Sequence, residues 1–582
     1  MSYQKNTPQL TVCLSRHLPS VDAQADVPEK SPLDLSDHDH IAPSTEAPRE
    51  ILQEYPSGFS LFFICFGLFL GVLCTGLDRL IIATAIPKIA AEFDSLPDIG
   101  WYGSAYLLTG CSFQLMFGKL FAEFSIKWLF LGMLGVFEVG SILCAAAPNS
   151  PVLIVGRAVA GLGAVGVLTG ALIILTHTVP LHNRPKVTSA IGSSIGIAQI
   201  IAPTIGGAFA DYVTWRWCFW LNLPLGGVTF LVVVFLVHLP ASATRSRSAS
   251  SPRTARQVLG KLDLPGTIFL LPAIISLLLA LQWGGSIYPW SNWRVILTLT
   301  IFGVAILIWG FIQYRRGDDA TVPVRIIKMR SMATAAWFSF ALFGMLFPLI
   351  QFIPLWFQAV LDTSANQSGV NFLAITVPLS VVAIISGFMT SKIGYYVPQM
   401  ITSTVFMSVA AGLITRFGVD TTQGYWIGSL VLLGIGAGIG GQQSLMVPQT
   451  VLFGGDIAIG TSLVIFAQTL SGTVWLSVAN NVFQDHLVHE LAIRAPAADP
   501  QVVLSTGGSA VAESIRKIYP ELVDQIVASY SDALKQVWLI SVVLACLSVF
   551  GSVLQEWVSV KKDKEKDAKR GTGSPSSTTP EA

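Results

Sequence analysis

The sequence predicts an all-α polytopic membrane protein of fourteen transmembrane helices, arranged as two six-helix bundles plus two inserted helices. Three observations predict it. The 582 residues are 52% hydrophobic and 12% charged, against about 25% charged in ordinary soluble domains, which leaves too little polar surface for a soluble fold. The apolar residues gather into fourteen runs, each near the 20 or so residues that cross roughly 30 Å of hydrocarbon. A weak internal echo, GKLFAEFSIKW from Gly118 and GFMTSKIGYY from Gly387, joins spans two and three and spans ten and eleven. If spans seven and eight are an insertion, the two loops hold matching places in two related halves.

The runs lie near 59–86, 101–121, 128–147, 151–176, 188–210, 217–239, 264–283, 294–313, 333–357, 369–390, 397–416, 425–447, 457–480 and 536–558. They divide the chain into a disordered cytoplasmic tail (1–58), an N-terminal bundle (59–240) and a cytoplasmic linker (241–263). The two inserted helices (264–316), a C-terminal bundle (317–558) with an extracellular loop at 481–535, and a cytoplasmic tail (559–582) follow. The first apolar run comes late and is too long for a cleavable signal peptide, so span one should itself direct insertion. Asp34 to His40, DLSDHDH, is the one metal-like cluster, and a solvated tail explains it better than a metal site. The Ser/Arg-rich stretch 241–256 reads as a flexible connector.

Orientation follows from lysine and arginine in the short loops. Lys119, Lys127, Arg184, Lys186, Arg245, Arg247, Arg253, Arg256, Arg315, Arg316, Arg325, Lys328 and Arg330 all fall on one side, with the tail from Lys561. Both termini are therefore expected in the cytoplasm, with the plasma membrane as the expected location. The sequon at Asn366 falls in a predicted outer loop, as a glycosylation site requires. Trp101, Trp215, Trp217, Trp290 and Trp293 lie near span ends, as an aromatic belt would. In the last outer loop Ile515, Ile518, Leu522, Ile526 and Tyr530 recur at helical spacing, which predicts an amphipathic surface helix.

Composition also limits function. A net charge of +1 gives no reason to expect a nucleic-acid partner, and seven scattered cysteines without a CxxC pair predict neither a disulfide framework nor a zinc site. There is no P-loop, HExxH or nucleophile elbow, so neither an enzyme nor a cofactor is expected.

The fifth span, Ser189 to Asp211, is the most unusual stretch. Gly192, Gly196, Gln199, Pro203, Gly206 and Gly207 fall within about a third of the helix circumference, leaving one side nearly bare. Glycine weakens a helix by about 1 kcal/mol, so such a face needs a reason, and close approach of a neighbouring helix supplies one. Charges inside spans cost at least about 2.5 to 3.5 kcal/mol on insertion scales, so each is a functional candidate. Asp78 and Arg79 lie in the outer part of span one, Glu138 in the middle of span three, and Arg157 early in span four. Antiparallel spans bring Asp78 and Arg157 to similar depth, where they suit either proton coupling or a permanent anchor. Glu138 has no basic neighbour in sequence and suits proton or substrate binding.

The run G-xxx-G-xxxxxx-P-xx-GG, with LDRLIIATAIP, GKLFAEFSIKW, APNSPVLIVGRAVAGLGAVG and WRWCFWLNLPLG, resembles the fourteen-spanner drug:proton antiporter family of the major facilitator fold. The likeness is nearest to fungal toxin and multidrug efflux pumps and covers about residues 59–560. It implies a monomer in the lipid bilayer that exports small amphipathic compounds by proton antiport. Asp78 matches the family's first-span acid, and Arg157, Gly161 and Gly163 match its fourth-span motif. Gly118 and Lys127 match the gating loop, but Ala122 stands where that loop has aspartate, with Glu123 displaced by one; Ala202 replaces the glycine usual before Pro203. Candidate cavity residues are Phe352, Trp356 and Gln358 in span nine and Gln442 and Gln443 in span twelve. The sequence leaves two other readings: metabolite uptake or uniport on the same fold, and a non-transporting membrane sensor.

Overall fold

A computed structural model describes Pro56 and residues 58–95, 98–238, 263–285, 288–505 and 516–561. The cluster at Asp34 to His40, the connector 241–256, Ile515 and the tail beyond Lys561 lie outside the described residues. Among the described residues the elements are helical, with no strand and one isolated bridge between Gly284 and Tyr288.

The first half runs α1 (Gly58–Phe93), α2 (Ile99–Glu123), α3 (Ile126–Ala145), α4 (Ser150–Thr178), α5 (Arg184–Tyr212), α6 (Trp217–Trp220) and α7 (Asn222–Leu236). The inserted pair is α8 (Leu264–Trp283) and α9 (Trp293–Arg316). The second half runs α10 (Val324–Lys328), α11 (Arg330–Ala359), α12 (Ala365–Ile393), α13 (Val397–Ile414), α14 (Gln423–Gly440) and α15 (Gln443–Val451). It continues with α16 (Asp456–Arg494), α17 (Pro500–Ser505) and α18 (Val523–Val553). Local chemistry sets several boundaries. Asn149 accepts from Val152 N at the start of α4, Ser364 accepts from Gln367 N at the start of α12, and Gly394 ends α12 at φ 93°.

Thirteen segments are long and apolar enough to cross a membrane, α6 with α7 and α14 with α15 each counting as one. The remaining predicted span, α2, carries buried Tyr102, Tyr106, Gln114 and Lys119 and packs between α4 and α16. Protein on both flanks replaces lipid there, so less hydrophobicity is needed. The opposite case is α9, whose Ile296, Val304, Leu307 and Phe311 are exposed, as a lipid-facing helix requires.

Contacts within the two halves repeat. In the first, α1 packs on α5 and α7, α4 on α2 and α3, and α3 on α7; in the second, α11 packs on α16 and α18, α14 on α12 and α13, and α13 on α18. Across the halves α5 meets α12 and α2 meets α16, which are corresponding pairs. The sequence echo marks these crossings. A Cβ on Gly118 would lie 2.8 Å from Ser462 Cβ and 3.1 Å from Ile459 Cα, and one on Gly387 would lie 2.6 Å from Pro185 O. Both glycines sit where helices of opposite halves approach closely.

The structure corrects three expectations of extent. Span thirteen, α16, runs on as one 39-residue helix to Arg494. The amphipathic helix is not separate: the chain turns at Pro520, and Ile526 and Tyr530 are buried in the first turns of α18. Pro520 lacks the N–H for a helical hydrogen bond and crowds the preceding turn, and here the helix breaks, so the periodicity crossed a break. Trp215 is no belt residue either; it is buried and donates to Glu92 Oε2 at 2.6 Å.

Asp263 stitches the base of the inserted pair. Its carboxylate accepts from Gly266 N at 2.9 Å, Thr321 N at 3.0 Å, Thr321 Oγ1 at 2.9 Å and Gln313 Nε2, with Arg316 Nε at 3.4 Å. Burial by itself would raise the carboxyl's pKa, but the donors from Gln313, Gly266 and Thr321 override it and hold it below the ordinary value of 3.8. Asp263→Ala should therefore lower stability by about 3 kcal/mol, because buried donors lose their acceptor. A depressed folded pKa gives stabilisation that is full above the ordinary value and fades as pH falls through the folded one. Thermal unfolding midpoints in detergent should show a gap between wild type and variant at pH 7 that narrows near pH 3.

Candidate functional site

The buried charges of the first half converge. Arg157 Nη1 of α4 lies 2.6 Å from Asp78 Oδ2 of α1, and both side chains are inaccessible. The other carboxylate oxygen accepts from Asn222 Nδ2 at 2.7 Å, and the same amide donates to Ser141 Oγ at 3.0 Å. Arg157 Nε donates to Tyr102 O at 3.0 Å, and the guanidinium lies 4.5 Å from the Tyr106 ring centroid and 5.9 Å from that of Phe219. The network thus ties α1, α2, α3, α4 and α7. A buried ion pair is tolerated when such additional hydrogen bonds satisfy both ions, and this one has them. Asn222 and Ser141 were not singled out from the sequence, although Asn222 lies inside the WRWCFWLNLPLG phrase.

Glu138 lies one helical turn from Ser141 on α3. Among the described residues neither carboxyl oxygen, both buried, has a hydrogen-bond partner. The group fills the space that Gly226 leaves on α7, where a Cβ would stand 1.7 Å from Oε1. Gly226 is in turn one helical turn from Asn222, so the partnerless carboxyl adjoins the Asp78 network.

The glycines of α4 and α5 do different things. Gly163 faces Phe137 N, 2.4 Å from its would-be Cβ, and Gly161 faces Tyr106 O at 2.2 Å, so α4 uses its glycines for packing inside one half. On α5, Gly192 faces the Gln442 side chain and Gly196 faces Ser380 Oγ, both at 2.2 Å and both in the other half. The expected partner, span ten, is α12. Further along, the bare face divides. Gly206 turns to Ile81 and Thr84 of its own half, Gly207 has nothing within 4 Å, and Pro203 is exposed. Gln199 Oε1 is buried without a partner, and Pro203 also denies its backbone carbonyl a helical donor.

These contacts show which end is shut. At the end carrying the basic loops, Ser391 Oγ donates to His182 O at 2.6 Å, Arg184 Nη1 to Gln449 O at 3.3 Å, and Gly387 and Gly118 close the two crossings. At the opposite end Gly207 of α5 and Gly369 of α12 each face open space. The halves are closed on one side and parted on the other.

The gating-loop residues act through backbone contacts. Lys127 Nζ donates to Val234 O at 2.7 Å near the end of α7, and Lys119 Nζ to Ala320 O at 3.1 Å. Ala122 abuts Gly455, the residue before α16, with 3.2 Å between its Cβ and one built on Gly455. The ionic link to α16 is made elsewhere: Arg325 holds Asp456 at 2.8 and 2.9 Å and Asp318 at 2.7 Å.

The expected cavity wall is largely corrected. Trp356 is buried among Phe357 and Phe417, and Phe352 packs on Phe483, so both belong to the core of the second half. Gln443 is buried and engaged with Thr390 Oγ1 at 3.0 Å and Ser386 Oγ at 2.8 Å, where it holds the break between α14 and α15. Gln358 bonds Ser368 Oγ at 3.4 Å, and only Gln442 faces the other half. Helical period could place these residues on an inner face but could not say whether a core or a seam lay before it. Asn366 is exposed in the first turn of α12, while Ser368 of the same sequon is buried and donates to Pro354 O at 3.2 Å. A cavity of about 580 Å³ lies within the second half at the parted end, lined by Arg416, Asp420, Arg494, Asp532 and Lys535. Its Asp532 pairs with Arg494 and Lys535, so the charges there are largely internal.

Comparison with known proteins agrees with this architecture. The Major Facilitator Superfamily profile matches residues 68–476. The chain is 47% identical over 511 residues to an MFS-type efflux pump, MFS1, of Trichophyton rubrum, covering 87% of this chain and 93% of that one. It is 45% identical to the efflux pump aflT of Aspergillus parasiticus, over 87% and 98% of the two chains, and 44% identical to the aspyridones efflux protein of Neocamarosporium betae, over 88% and 89%. Among solved structures, the proton:xylose symporter XylE superposes with a TM-score of 0.52 at 13% identity, over 85% of this chain and 94% of that one, a likeness of fold. The chain belongs to the Major Facilitator Superfamily and is a membrane transporter, not an enzyme.

Proposed function

We propose that the protein exports small amphipathic compounds, a toxin, secondary metabolite or drug, by proton antiport across the plasma membrane. The observation that carries this reading is a pair of halves closed at one end and parted at the other, with one buried carboxyl ion-paired and a second left without a partner. Relatives named as efflux pumps support the direction. On the positive-inside rule the closed, basic end is cytoplasmic, with both termini, and the state seen is open to the outside. Asn366 then faces outward as a glycosylation acceptor. The bundles 59–240 and 317–558 rock about the path between them, the pair 264–316 stands beside it, and one chain suffices.

Asp78 and Glu138 divide the proton chemistry. An ionised carboxylate with no donor in a buried site costs several kcal/mol, so the Glu138 pocket fits the protonated acid. Asp78 fits the carboxylate because Arg157 and Asn222 supply donors to both oxygens. Movement of α1 against α4 and α7 would weaken those donors and let Asp78 take a proton. The glycine face sets the other half of the cycle: Gly192 and Gly196 seal the cytoplasmic end now, and Gly207 is left bare for closure of the outer end.

Rhodamine 6G uptake into inside-out proteoliposomes under an imposed pH gradient tests the reading. Wild type should accumulate dye in proportion to the gradient, and transport independent of the gradient would sink antiport. Asp78→Asn should lose gradient-driven transport by at least about tenfold, the scale of one lost charge-assisted contact, and should melt at a lower temperature than wild type because Arg157 keeps its charge without a counter-ion. Glu138→Gln should keep dye movement down its own gradient but lose its response to pH; an unchanged pH profile would remove Glu138 from coupling.

The seam has its own pair of tests in the same assay. Gly387→Leu drives a side chain into Pro185 O and should stop closure of the basic end. Gly207→Leu meets nothing in the present state, so the protein should fold with an unchanged melting temperature while turnover falls. Full turnover of Gly207→Leu would show that this part of the bare face never closes.

A further inference from the structure

Arg79 follows Asp78 on α1 but points about a quarter-turn away, out of its own half. Its guanidinium lies 5.0 Å from the ring centroid of Phe347 on α11, so it reaches across the seam between the halves. Among the described residues no carboxylate or hydrogen-bond acceptor is paired with it. Asp78 is not free to serve, because Arg157 and Asn222 take its two oxygens. A cation–π contact contributes about 0.5 to 2 kcal/mol, less than the roughly 2.5 to 3.5 kcal/mol that a charge costs at mid-membrane. The site as it stands lacks an anion.

Depth places Arg79 at the floor of the open side. The register of α1 on α5 is fixed by Gly76 against Ala198 and by Gly206 against Ile81 and Thr84. Arg79 is therefore level with the part of α5 just beyond Gly196, the last glycine of that helix set against α12. Around it the second half offers aromatic surface. Phe343 lies 6.3 Å from Phe347, ring to ring, and the missing side chain of Gly472 on α16 lets α16 approach Phe347, 2.9 Å from a would-be Cβ. One turn further along, Trp475 lies over Gly344 with its buried indole N–H unpartnered.

We propose that Arg79 is the counter-charge for an anionic group on the cargo, which would be an aromatic or polycyclic acid carrying a carboxylate or ionised enol. The guanidinium pairs the anion, and Phe347 and Phe343 stack on the ring system. This rests on the transport reading of the same seam and adds the charge class of what is carried. Arg79 is a binding residue and takes no part in proton transfer.

Two xanthene dyes of similar size and opposite charge test it on the full chain in nanodiscs of neutral lipid, by fluorescence anisotropy. Fluorescein is the anionic probe and rhodamine 6G the cationic one. Arg79→Gln should weaken fluorescein binding about tenfold or more, the scale of a lost charge-assisted hydrogen bond, and change rhodamine 6G binding less than twofold. Arg79→Lys should keep most of the fluorescein affinity, and raised ionic strength should not reproduce the Gln variant's selectivity. Equal loss of both dyes, or fluorescein binding that is absent in wild type or unchanged in Arg79→Gln, overturns the proposal. Binding needs no gradient, so the two readings fail separately. Arg79-dependent fluorescein binding with no gradient-driven transport of either fluorescein or rhodamine 6G would sink the export reading and leave the anion site standing.

Discussion

Asp78 and Arg157 are two charges buried in an apolar bundle 2.6 Å apart, and neither could stay there alone. The surrounding structure is arranged around that constraint. Asn222 must reach the free carboxylate oxygen, which fixes the entry of α7; Tyr102 O must accept from the guanidinium, which fixes α2; Ser141 holds the amide from α3. The glycines of α4 let α2 and α3 come close enough for Tyr102 O to meet Arg157 and for Ser141 to meet Asn222. The first half is thus a rigid body whose centre is polar and whose rim is apolar.

Rigid halves make the seam between them the place where motion is cheap. There the crossings rely on glycine and serine, with few large side chains interlocked: Gly118 on Ser462, Gly387 on Ser189 and Pro185, Gly196 on Ser380. Such contacts are close but shallow, so separating them exposes little surface and breaks few hydrogen bonds. Arg325, bridging Asp318 and Asp456, makes an ionic clasp at the same end but within the second half; its exposed groups make it a weak one. The clasp sits on the first turn of α16, where an acid also favours the helix dipole.

The departures from the family pattern find physical reasons in that seam. Ala122 lies flat against Gly455, a contact that leaves no room for a longer side chain, and the next residue, Asp456, is held by Arg325 of its own half. Lys127 serves the backbone near the end of α7 at Val234. Among the described residues inside the first half's spans, Arg79 and Glu138 are ionisable groups without a hydrogen-bond partner, one facing the seam and one facing α7. They mark opposite sides of the Asp78 network.

Composition and run length were enough for the class and the spans, because hydrocarbon thickness imposes one length on every crossing segment. The pairing of Asp78 with Arg157 was also legible, since antiparallel spans bring equal depths together, and so was α12 as the partner of the α5 glycines. The sequence could not tell a core from a seam: Phe352, Trp356 and Gln443 share helical faces with seam residues but point into the second half, whereas Phe347, Gln442 and Trp475 lie at contacts no periodicity singles out. Nor could it show that Gly206 turns inward while Gly207 stays open. A helix wheel gives the direction of a side chain from its own axis, but what stands in that direction depends on the crossing angle and depth of another helix, and only the tertiary structure decides those.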